Sequence, residues 1–137
     1  MQASTATPAA HVTVLLAEDD EAFRELLVET LRAAGFDTLS AASGEEALRI
    51  AASNPVDLLL TDVVMDGMNG LELAQRMRSE VRRLPVLFMS GYSERSLSDA
   101  ALLPAGSRLL HKPFDAGELK RRIEEALAVV GPARPRA

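Results

Sequence analysis

Residues 57–70 read Asp57-Leu-Leu-Leu-Thr-Asp-Val-Val-Met-Asp-Gly-Met-Asn-Gly70, an apolar run of strand length followed by a glycine-punctuated loop. The three leucines do not alternate with polar residues, which is typical of a strand buried on both faces in a parallel sheet covered by helices. Asp62 stands where the strand meets the loop. That position is the edge of the sheet at which open α/β folds bind ligands, although a lone Asp there is more simply explained as the start of a turn.

The composition predicts one globular domain. The chain has 137 residues, of which 47% are hydrophobic and 26% charged, and this length is enough for a hydrophobic core. It contains no cysteine, which excludes disulfides, thiolate metal sites and cysteine nucleophiles. No apolar run approaches the roughly 18 residues of a membrane span, and the first residues lack the basic and apolar regions of a secretory signal. We therefore expect no membrane association and, by default, a cytoplasmic location.

The charges argue against a nucleic-acid partner. The net charge is −5, and all 20 acidic residues lie between Glu18 and Glu125. Two of the 15 basic residues, Arg134 and Arg136, lie near the end of the chain, so the part before them holds 13 basic residues and a net charge of −7. The basic run 120–122 is expected on a solvated helix face. Aromatic residues make up only 4% of the chain, which leaves little surface for stacking bases.

Short apolar runs alternate with helical patterns from residue 12 onward. Strands are predicted at 12–17, 36–42, 56–61, 85–89 and 108–111. A helix is predicted after each strand, and the one at about 94–102 has poor apolar periodicity. We expect residues 1–11 to form a disordered leader and 131–137 a tail, so that 12–130 is the folded domain.

Local signals place three of these helices. One helix face is predicted from residues at i, i+3, i+4, i+7, i+8 and i+11, which are Phe23, Leu26, Leu27, Thr30, Leu31 and Ala34. Two further segments, Ser43-Gly-Glu-Glu46 and Asp115-Ala-Gly-Glu118, place a capping residue three positions before a glutamate. This spacing is typical of a helix amino terminus.

The alternation predicts an α/β fold, a doubly wound five-stranded parallel sheet, because right-handed crossovers place helices on both faces. Of the two common strand orders, five units fit 2-1-3-4-5, the flavodoxin-like (βα)5 arrangement, better than the six-stranded one. The switch point then falls between the first and third strands, where the acidic cluster 18–20 meets Asp62. Ser90 and Lys112, which follow the fourth and fifth strands, lie on the same edge.

These side chains suggest a metal-dependent phosphoryl chemistry. Converging carboxylates repel one another, and a bound cation is the usual way to stabilise them. With no cysteine and only His111 nearby, the ligands are oxygens, which favours Mg²⁺, with Mn²⁺ or Ca²⁺ as alternatives, over zinc. Asp62 is then a candidate nucleophile toward phosphorus. Lys112 would stabilise charge on the phosphoryl oxygens, and the Ser90 hydroxyl would hydrogen-bond one of them.

Four motifs at these strand ends resemble the receiver domain of two-component response regulators over about residues 12–130. They are Glu18-Asp19, Asp62-Val-Val-Met-Asp-Gly-Met-Asn-Gly70, Met89-Ser-Gly91 and Lys112-Pro-Phe114, after strands one, three, four and five. Each motif alone is weak, but the four together in this order are a specific signal. The residues around the last two motifs are most similar to receivers at the C-terminus of hybrid histidine kinases.

The resemblance implies a role for each acidic residue. Asp62 is the phosphoacceptor, and Glu18 and Asp19 are the pair that holds Mg²⁺. The backbone carbonyl of Val64 completes the protein ligands, whereas Asp20 is a neighbour of the site and not a ligand.

On the same resemblance, Ser90 is the switch hydroxyl, Lys112 pairs with the phosphoryl group and the Lys112–Pro113 peptide bond is cis. The phosphodonor is a phosphohistidine on a histidine kinase or a histidine phosphotransfer protein, and the output is a change in a protein-binding face. The protein then catalyses its own phosphorylation and dephosphorylation without turning over a separate substrate. We expect a monomer or a weak dimer.

The sequence departs from the family pattern at two positions. Asp66 stands where receivers usually have proline, which predicts a looser loop and an extra carboxylate near the phosphorylation site. Leu109 stands where receivers carry an aromatic switch residue, so the usual rotamer readout is unavailable. In addition, the positions that flank the path of a hydrolytic water in receivers are Val64 and Tyr92 here, and neither carries a carboxylate or an amide to orient the water.

Two other classes of protein share part of this pattern. A phosphohydrolase of the haloacid dehalogenase type also uses an Asp nucleophile, but its general acid two residues later is replaced here by Val64, and 137 residues leave no room for a cap domain. A receiver fold used only for binding typically lacks the acidic pair, the phosphoacceptor or the lysine. All of these are present here, which favours the phosphoacceptor.

Overall fold

The computed structural model describes residues 12–91 and 94–130, in which five strands and five helices alternate. In chain order they are β1 (Thr13–Ala17), α1 (Glu21–Ala33), β2 (Asp37–Ala41), α2 (Gly44–Ser53), β3 (Leu58–Asp62), α3 (Gly70–Glu80), β4 (Val86–Ser90), α4 (Glu94–Ala100), β5 (Arg108–His111) and α5 (Ala116–Val130). The leader and tail expected at 1–11 and 131–137 lie outside the described residues.

The strands form one parallel sheet in the order β2-β1-β3-β4-β5, which confirms the predicted 2-1-3-4-5 arrangement. β3 is its central strand, and the leucines at 58–60 are fully buried, as their lack of alternation predicted. The strand begins two residues later than predicted and includes Asp62 as its last residue. β4 likewise ends on Ser90. The backbones of Asp62 and Ser90 are therefore held by the hydrogen bonds of the sheet and not only by a loop.

The sheet separates two hydrophobic cores. On one face α1 and α5 pack through buried residues such as Leu31 and Ile123, and on the other α2 and α3 pack through residues such as Ala47 and Leu73. Burying a leucine or isoleucine side chain contributes roughly 1.5–3 kcal/mol relative to leaving it in water. Helices on both faces are the expected result of right-handed crossovers between parallel strands.

One residue that was predicted to lie on the buried face of α1 does not lie there. Leu26 is 56% exposed, whereas Leu27 and Leu31 are buried and Val28 packs against the core. At about 100° per residue, Leu26 and Val28 lie on opposite sides of the stripe centred on Leu27. The helix is rotated about its axis so that Val28 and not Leu26 faces the core. This rotation is set by tertiary packing, and the periodicity of the sequence does not predict it.

Side-chain caps begin the helices where the sequence predicted them. The Ser43 hydroxyl accepts a hydrogen bond from the Glu46 amide at 3.1 Å, and the Asp115 carboxylate accepts one from the Glu118 amide at 2.7 Å. Asp20, which was not predicted as a cap, does the same for α1. Each cap satisfies an amide that has no partner within its helix.

α4 is the shortest helix of the described chain, with seven residues in place of the predicted nine. Turns follow it, in which the amides of Leu102 and Leu103 donate to the carbonyls of Asp99 and Ala100. Its weak apolar periodicity limits how firmly it packs on the sheet. Among all the described helices, none has both the length and the apolar character needed to cross a bilayer.

Candidate metal and phosphoacceptor site

Three carboxylates meet at the carboxyl edge of the sheet. Glu18 and Asp19 follow β1, and Asp62 ends β3, which is the neighbour of β1. One carboxylate oxygen from each of the three lies within 4.8 Å of the others. Glu18 is 1% and Asp62 6% exposed, while Asp19 is open to solvent. The topology therefore brings together the acidic residues that the sequence placed at the switch point.

Lys112 enters this cluster from the end of β5. Its ammonium lies 2.8 Å from Asp62 Oδ1 and 3.3 Å from Glu18 Oε1. The backbone amide of Lys112 donates to the Ser90 carbonyl at 2.9 Å, and the Lys112–Pro113 bond is cis, as predicted. The long side chain of Lys112, just after β5, thus reaches the carboxylate that ends β3.

An aromatic pair also contacts the lysine. The Lys112 ammonium lies 4.5 Å from the centroid of the Phe23 ring, and Phe114 packs edge-to-face on that ring with centroids 6.1 Å apart. A cation over an aromatic face is attracted by the ring quadrupole. The sequence assigned Phe23 only to a helix face, because nothing local to α1 indicates that its ring faces the end of β5.

The surroundings shift the pKa values of both charged partners. Burial, followed by the hydrogen bond and the charge of Glu18, raises the pKa of Asp62 to about 8, although Lys112 acts in the opposite direction. For Lys112, burial lowers the pKa, but its contacts with Asp62 and Glu18 outweigh burial and the net shift is upward. Two buried carboxyl groups thus share one ammonium, and in the absence of a cation the pocket favours the protonated form of Asp62.

Backbone hydrogen bonds orient the acidic pair. Glu18 Oε2 accepts from the Asp20 amide at 3.0 Å, and the Glu18 carbonyl accepts from the Arg24 guanidinium at 2.9 Å. Asp19 Oδ2 accepts from the amide of Asp66 at 3.1 Å. Asp66 therefore joins the β3–α3 loop to the acidic pair through its backbone, while its own side chain is exposed.

The turn after Asp62 is tightly packed against it. The Gly70 amide donates to the Val63 carbonyl at 2.9 Å, and a Cβ atom at Gly70 would overlap the carbonyl oxygen of Asp62. The Thr61 hydroxyl also donates to that oxygen, at 2.9 Å. Close approach of the α3 amino terminus therefore requires glycine at position 70.

α3 begins with a reciprocal capping box that sequence reasoning missed. The Asn69 side chain accepts from the Glu72 amide at 2.9 Å, and the Glu72 side chain accepts from the Asn69 amide at 3.1 Å. Asn followed three residues later by Glu was a readable signal. Gly67 and Gly70 on either side of this signal are more typical of a loop than of a helix start.

The remaining predicted residues lie around this cluster. Ser90 is buried at the end of β4, and its hydroxyl donates to the Gly91 carbonyl at 3.1 Å. Val64 is half-buried and packs against the core on the α2 and α3 face, as does Leu109 on β5. Tyr92 lies outside the described residues.

The donor set fits a hard divalent cation. All candidate ligand atoms from Glu18, Asp19 and Asp62 are carboxylate oxygens, which suit Mg²⁺, Mn²⁺ or Ca²⁺ and not a thiolate-bound metal. A cation there would offset the repulsion between the two buried carboxylates. An ammonium and a carboxylate in direct contact beside such a cation form a site for handling a phosphoryl group. The fold and site thus define a class, a doubly wound α/β domain with an acidic pocket at the switch point of its sheet that could hold a cation.

Comparison with known proteins identifies the family. Residues 14–124 match the family model described as the response regulator receiver domain. The response regulator receiver protein CpdR of Brucella abortus is 36% identical over 114 residues, which cover 83% of this chain and 95% of that protein. The chain therefore belongs to the response regulator receiver domain family of two-component signalling systems.

Other relatives are longer than this chain. The response regulator protein FleR of Pseudomonas aeruginosa is 38% identical over 106 residues, which cover 77% of this chain but 22% of FleR. The uncharacterised transcriptional regulatory protein YrkP of Bacillus subtilis is 34% identical over 110 residues, covering 80% of this chain and 47% of YrkP. The match to these two proteins thus concerns only part of each.

Solved structures agree with this assignment. The receiver domain of the hybrid histidine kinase CckA is 35% identical, with a TM-score of 0.69, covering 84% of this chain and 98% of that one. A putative response regulator from Chloroflexus aurantiacus is 37% identical, with a TM-score of 0.75, covering 85% of this chain and 98% of that one. The resemblance to a receiver, including one from a hybrid kinase, is thereby confirmed.

Proposed function

We propose that this receiver domain, residues 12–130, is the phosphoacceptor of a two-component phosphorelay and accepts its phosphoryl group on Asp62. The observation that carries the proposal is the contact of the Lys112 ammonium with Asp62 Oδ1 at 2.8 Å, inside a pocket of three carboxylates. A buried acidic cluster with one lysine is costly to assemble without a function, since each buried charge loses hydration. The donor is a phosphohistidine on a histidine kinase or a histidine phosphotransfer protein.

In the transfer, a carboxylate oxygen of Asp62 forms a bond to phosphorus. The bond between phosphorus and the imidazole nitrogen of the donor breaks, and its electron pair leaves with the imidazole. Lys112 is within reach of Asp62 and stabilises negative charge on a phosphoryl oxygen. Asp62 must be ionised to attack, and the raised pKa of its carboxyl shows that the pocket without a cation favours the protonated form.

The proposed cation is Mg²⁺, held by Glu18, Asp19, Asp62 and the backbone carbonyl of Val64. When bound it supplies positive charge that offsets the carboxylates and the phosphoryl oxygens. Ser90 lies at the end of the adjacent strand, and its hydroxyl now donates to the neighbouring carbonyl of Gly91. Movement of Ser90 toward a phosphoryl oxygen would break this hydrogen bond and draw the loop after β4 with it.

The domain serves as its own substrate and turns over no separate one. A hydrolase of the haloacid dehalogenase type is disfavoured because Val64, two residues after Asp62, has no proton to donate. A purely binding receiver is disfavoured because the acidic pair, Asp62 and Lys112 all meet in one pocket. We further propose a monomer or weak dimer, without a nucleic-acid partner of its own, that acts in the cytoplasm on a protein.

Phosphate incorporation from a small phosphodonor tests the proposal. Wild-type protein incubated with ³²P-acetyl phosphate should be labelled with Mg²⁺ and not with excess chelator. Asp62→Asn should abolish labelling, and Asp19→Asn should raise the Mg²⁺ concentration required by deleting a charged ligand. Asp57→Asn is the matched control, because this carboxylate lies at the opposite end of β3 and accepts from the Thr13 amide. Undiminished labelling of Asp62→Asn would overturn the proposal.

A further inference from the structure

A cavity of about 520 Å³ lies at the amino-terminal edge of β4 and β5, opposite the carboxylate site. Its walls come from the end of α3, the loop before β5 and one residue of α5, Ala126, and buried side chains such as Leu84 and Phe88 form an apolar floor. The volume is in the range of roughly 300–1,000 Å³ that is typical of small-molecule pockets. Four arginines line it, namely Arg78, Arg82, Arg83 and Arg108.

These arginines concentrate positive charge in an acidic domain. The segment 12–130 carries a net charge of −7, yet four of its 13 basic residues line this one cavity. Within the described residues, none of the four forms an ion pair with a carboxylate, and the neighbouring Glu80 pairs with none of them. Like charges gathered without counter-charge destabilise one another.

Ordinary structural roles account for only one of the four. Arg78 lies in the last turn of α3, where a cation is favourable, and its Nε donates to the Leu84 carbonyl at 3.1 Å. Arg82 and Arg83 lie beyond the helix, and Arg108 opens β5. In the part of the chain that the structure describes, the guanidinium groups of these last three donate no hydrogen bond to protein. Their donors are therefore available to a ligand.

The geometry points to a second ligand site on this domain, at which the four arginines bind the pyrophosphate group of a small molecule. Guanidinium groups bind phosphate through paired hydrogen bonds, and a pyrophosphate group carries several negative charges at neutral pH that the arginines would offset. The apolar floor would contact an attached organic group. Either free pyrophosphate or a nucleoside polyphosphate supplies this chemistry. The site uses none of the residues assigned to phosphoryl transfer and does not depend on that function.

Isothermal titration calorimetry at fixed ionic strength, with chelator to remove divalent cations, tests this site. The probes are inorganic pyrophosphate and ATP. We expect both to bind wild-type protein, and the Arg82→Gln/Arg83→Gln variant to bind at least about tenfold more weakly because it loses two guanidinium groups. The control is Lys120→Gln/Arg121→Gln, which removes the same charge from an exposed face of α5 and should bind like wild type.

The relative affinities of the two probes show which kind of ligand the site binds. Tighter binding of ATP than of pyrophosphate identifies a nucleotide site, and equal binding identifies a site for the polyphosphate group. Absence of binding by both probes at millimolar concentration, or equal loss in the two double variants, overturns the inference. Because Arg82 and Arg83 are exposed, the variant is expected to fold. A second test is the change in the amide chemical shifts of residues 104–108 when pyrophosphate is added to wild-type protein and to Arg108→Gln. We expect the shifts to change in wild type and to change less in the variant. Unchanged shifts in wild type would also overturn the inference.

Discussion

The neighbours of Asp62 shift the pKa of its carboxyl group in opposite directions. Burial and Glu18 raise its pKa to about 8, and the ammonium of Lys112 at 2.8 Å acts against them. A divalent cation on the same oxygens would add to the effect of Lys112 and favour the ionised form. Ionisation of the nucleophile and cation binding are therefore linked at this residue.

We expect the metal-free protein to lose stability relative to Asp62→Asn as the pH rises from about 4 to about 8. The unfolded chain releases this proton near pH 4, whereas the folded protein holds it until about pH 8, so stability present at low pH disappears across this window at up to roughly 1.4 kcal/mol per unit. Urea unfolding of both proteins over this range measures the difference. Added Mg²⁺ should restore stability at the upper end. A difference that does not change with pH or Mg²⁺ would contradict this description of Asp62.

Val64 provides a test of how long the phosphoryl group survives. Its apolar side chain stands two residues after Asp62 and carries nothing that aligns a water molecule for attack. We expect Val64→Asn to shorten the lifetime of the phosphorylated protein by about threefold or more, because positioning dominates catalysis of phosphoryl transfer. Val64→Ile, which keeps an apolar group, is the control. Decay of the labelled protein after removal of the donor gives both lifetimes, and equal or slower loss from Val64→Asn would contradict the idea.

Single residues also show what the sequence could and could not predict. The convergence of Glu18, Asp62 and Lys112 was predictable, since each follows a strand and parallel strands end at one edge. The contact of Phe23 with Lys112 was not, because Phe23 lies within α1 and the direction of its ring depends on how that helix packs. The exposure of Leu26 was mispredicted for a related reason, as periodicity defines a stripe but not how far the helix rolls on the sheet.

Among the elements, the junction of β3 with α3 is closely constrained by its residues. Gly70, the first residue of α3, lies against the carbonyl of Asp62. The residue before it, Asn69, caps the helix and forms the capping box with Glu72. The glycine and the cap thus act on the backbone of the phosphoacceptor from the helix side. The polar residues of this loop can be identified from the sequence. The close approach of the backbone at Gly70 to the backbone at Asp62 is seen only in the folded protein.

We expect Gly70→Ala to destabilise the protein by about 2 kcal/mol or more, because the added methyl group meets backbone and not a movable side chain. Gly117→Ala is the control. A methyl group there lies 3.4 Å from Asp115 Oδ1, an ordinary contact, and the change should stay within about 1 kcal/mol of wild type. Chemical denaturation measures both values, and equal stability of the two variants would show that the approach at Gly70 is not limiting.

α4 and β5 form the element pair best suited to change on phosphorylation. α4 has only seven residues, and both Leu97 within it and Leu102 in the turn that follows are exposed. Leu109 stands where receivers usually carry the aromatic residue that reports their state, so we expect a response here to involve the backbone after Ser90. We expect amide exchange in residues 94–111 to change when Asp62 is phosphorylated, as a population shift. Exchange by mass spectrometry measures it, Asp62→Asn treated alike is the control, and unchanged exchange would contradict a switch through this face.

On the scale of the whole molecule, the order of strands decides where chemistry occurs. The sheet order followed from the alternation of strand and helix patterns, and it places the carboxylates, the lysine and Ser90 along one edge. The opposite edge carries the arginine-lined cavity, which the sequence did not predict because Arg108 joins Arg78, Arg82 and Arg83 only through the packing of β5 beside β4. A domain with a net charge of −7 thus has an acidic site and a basic site at opposite ends of its strands.

The central claim is that the phosphoryl group resides on the carboxylate of Asp62, and its chemical location is the most direct measurement. Wild-type protein phosphorylated in the presence of Mg²⁺ is treated with sodium borohydride, which reduces an aspartyl phosphate to homoserine, and its peptides are then sequenced by mass spectrometry. The account predicts homoserine at position 62 and at no other aspartate, and none in protein treated without donor. Phosphate that survives on a serine or histidine, or homoserine at another aspartate with position 62 intact, would contradict it.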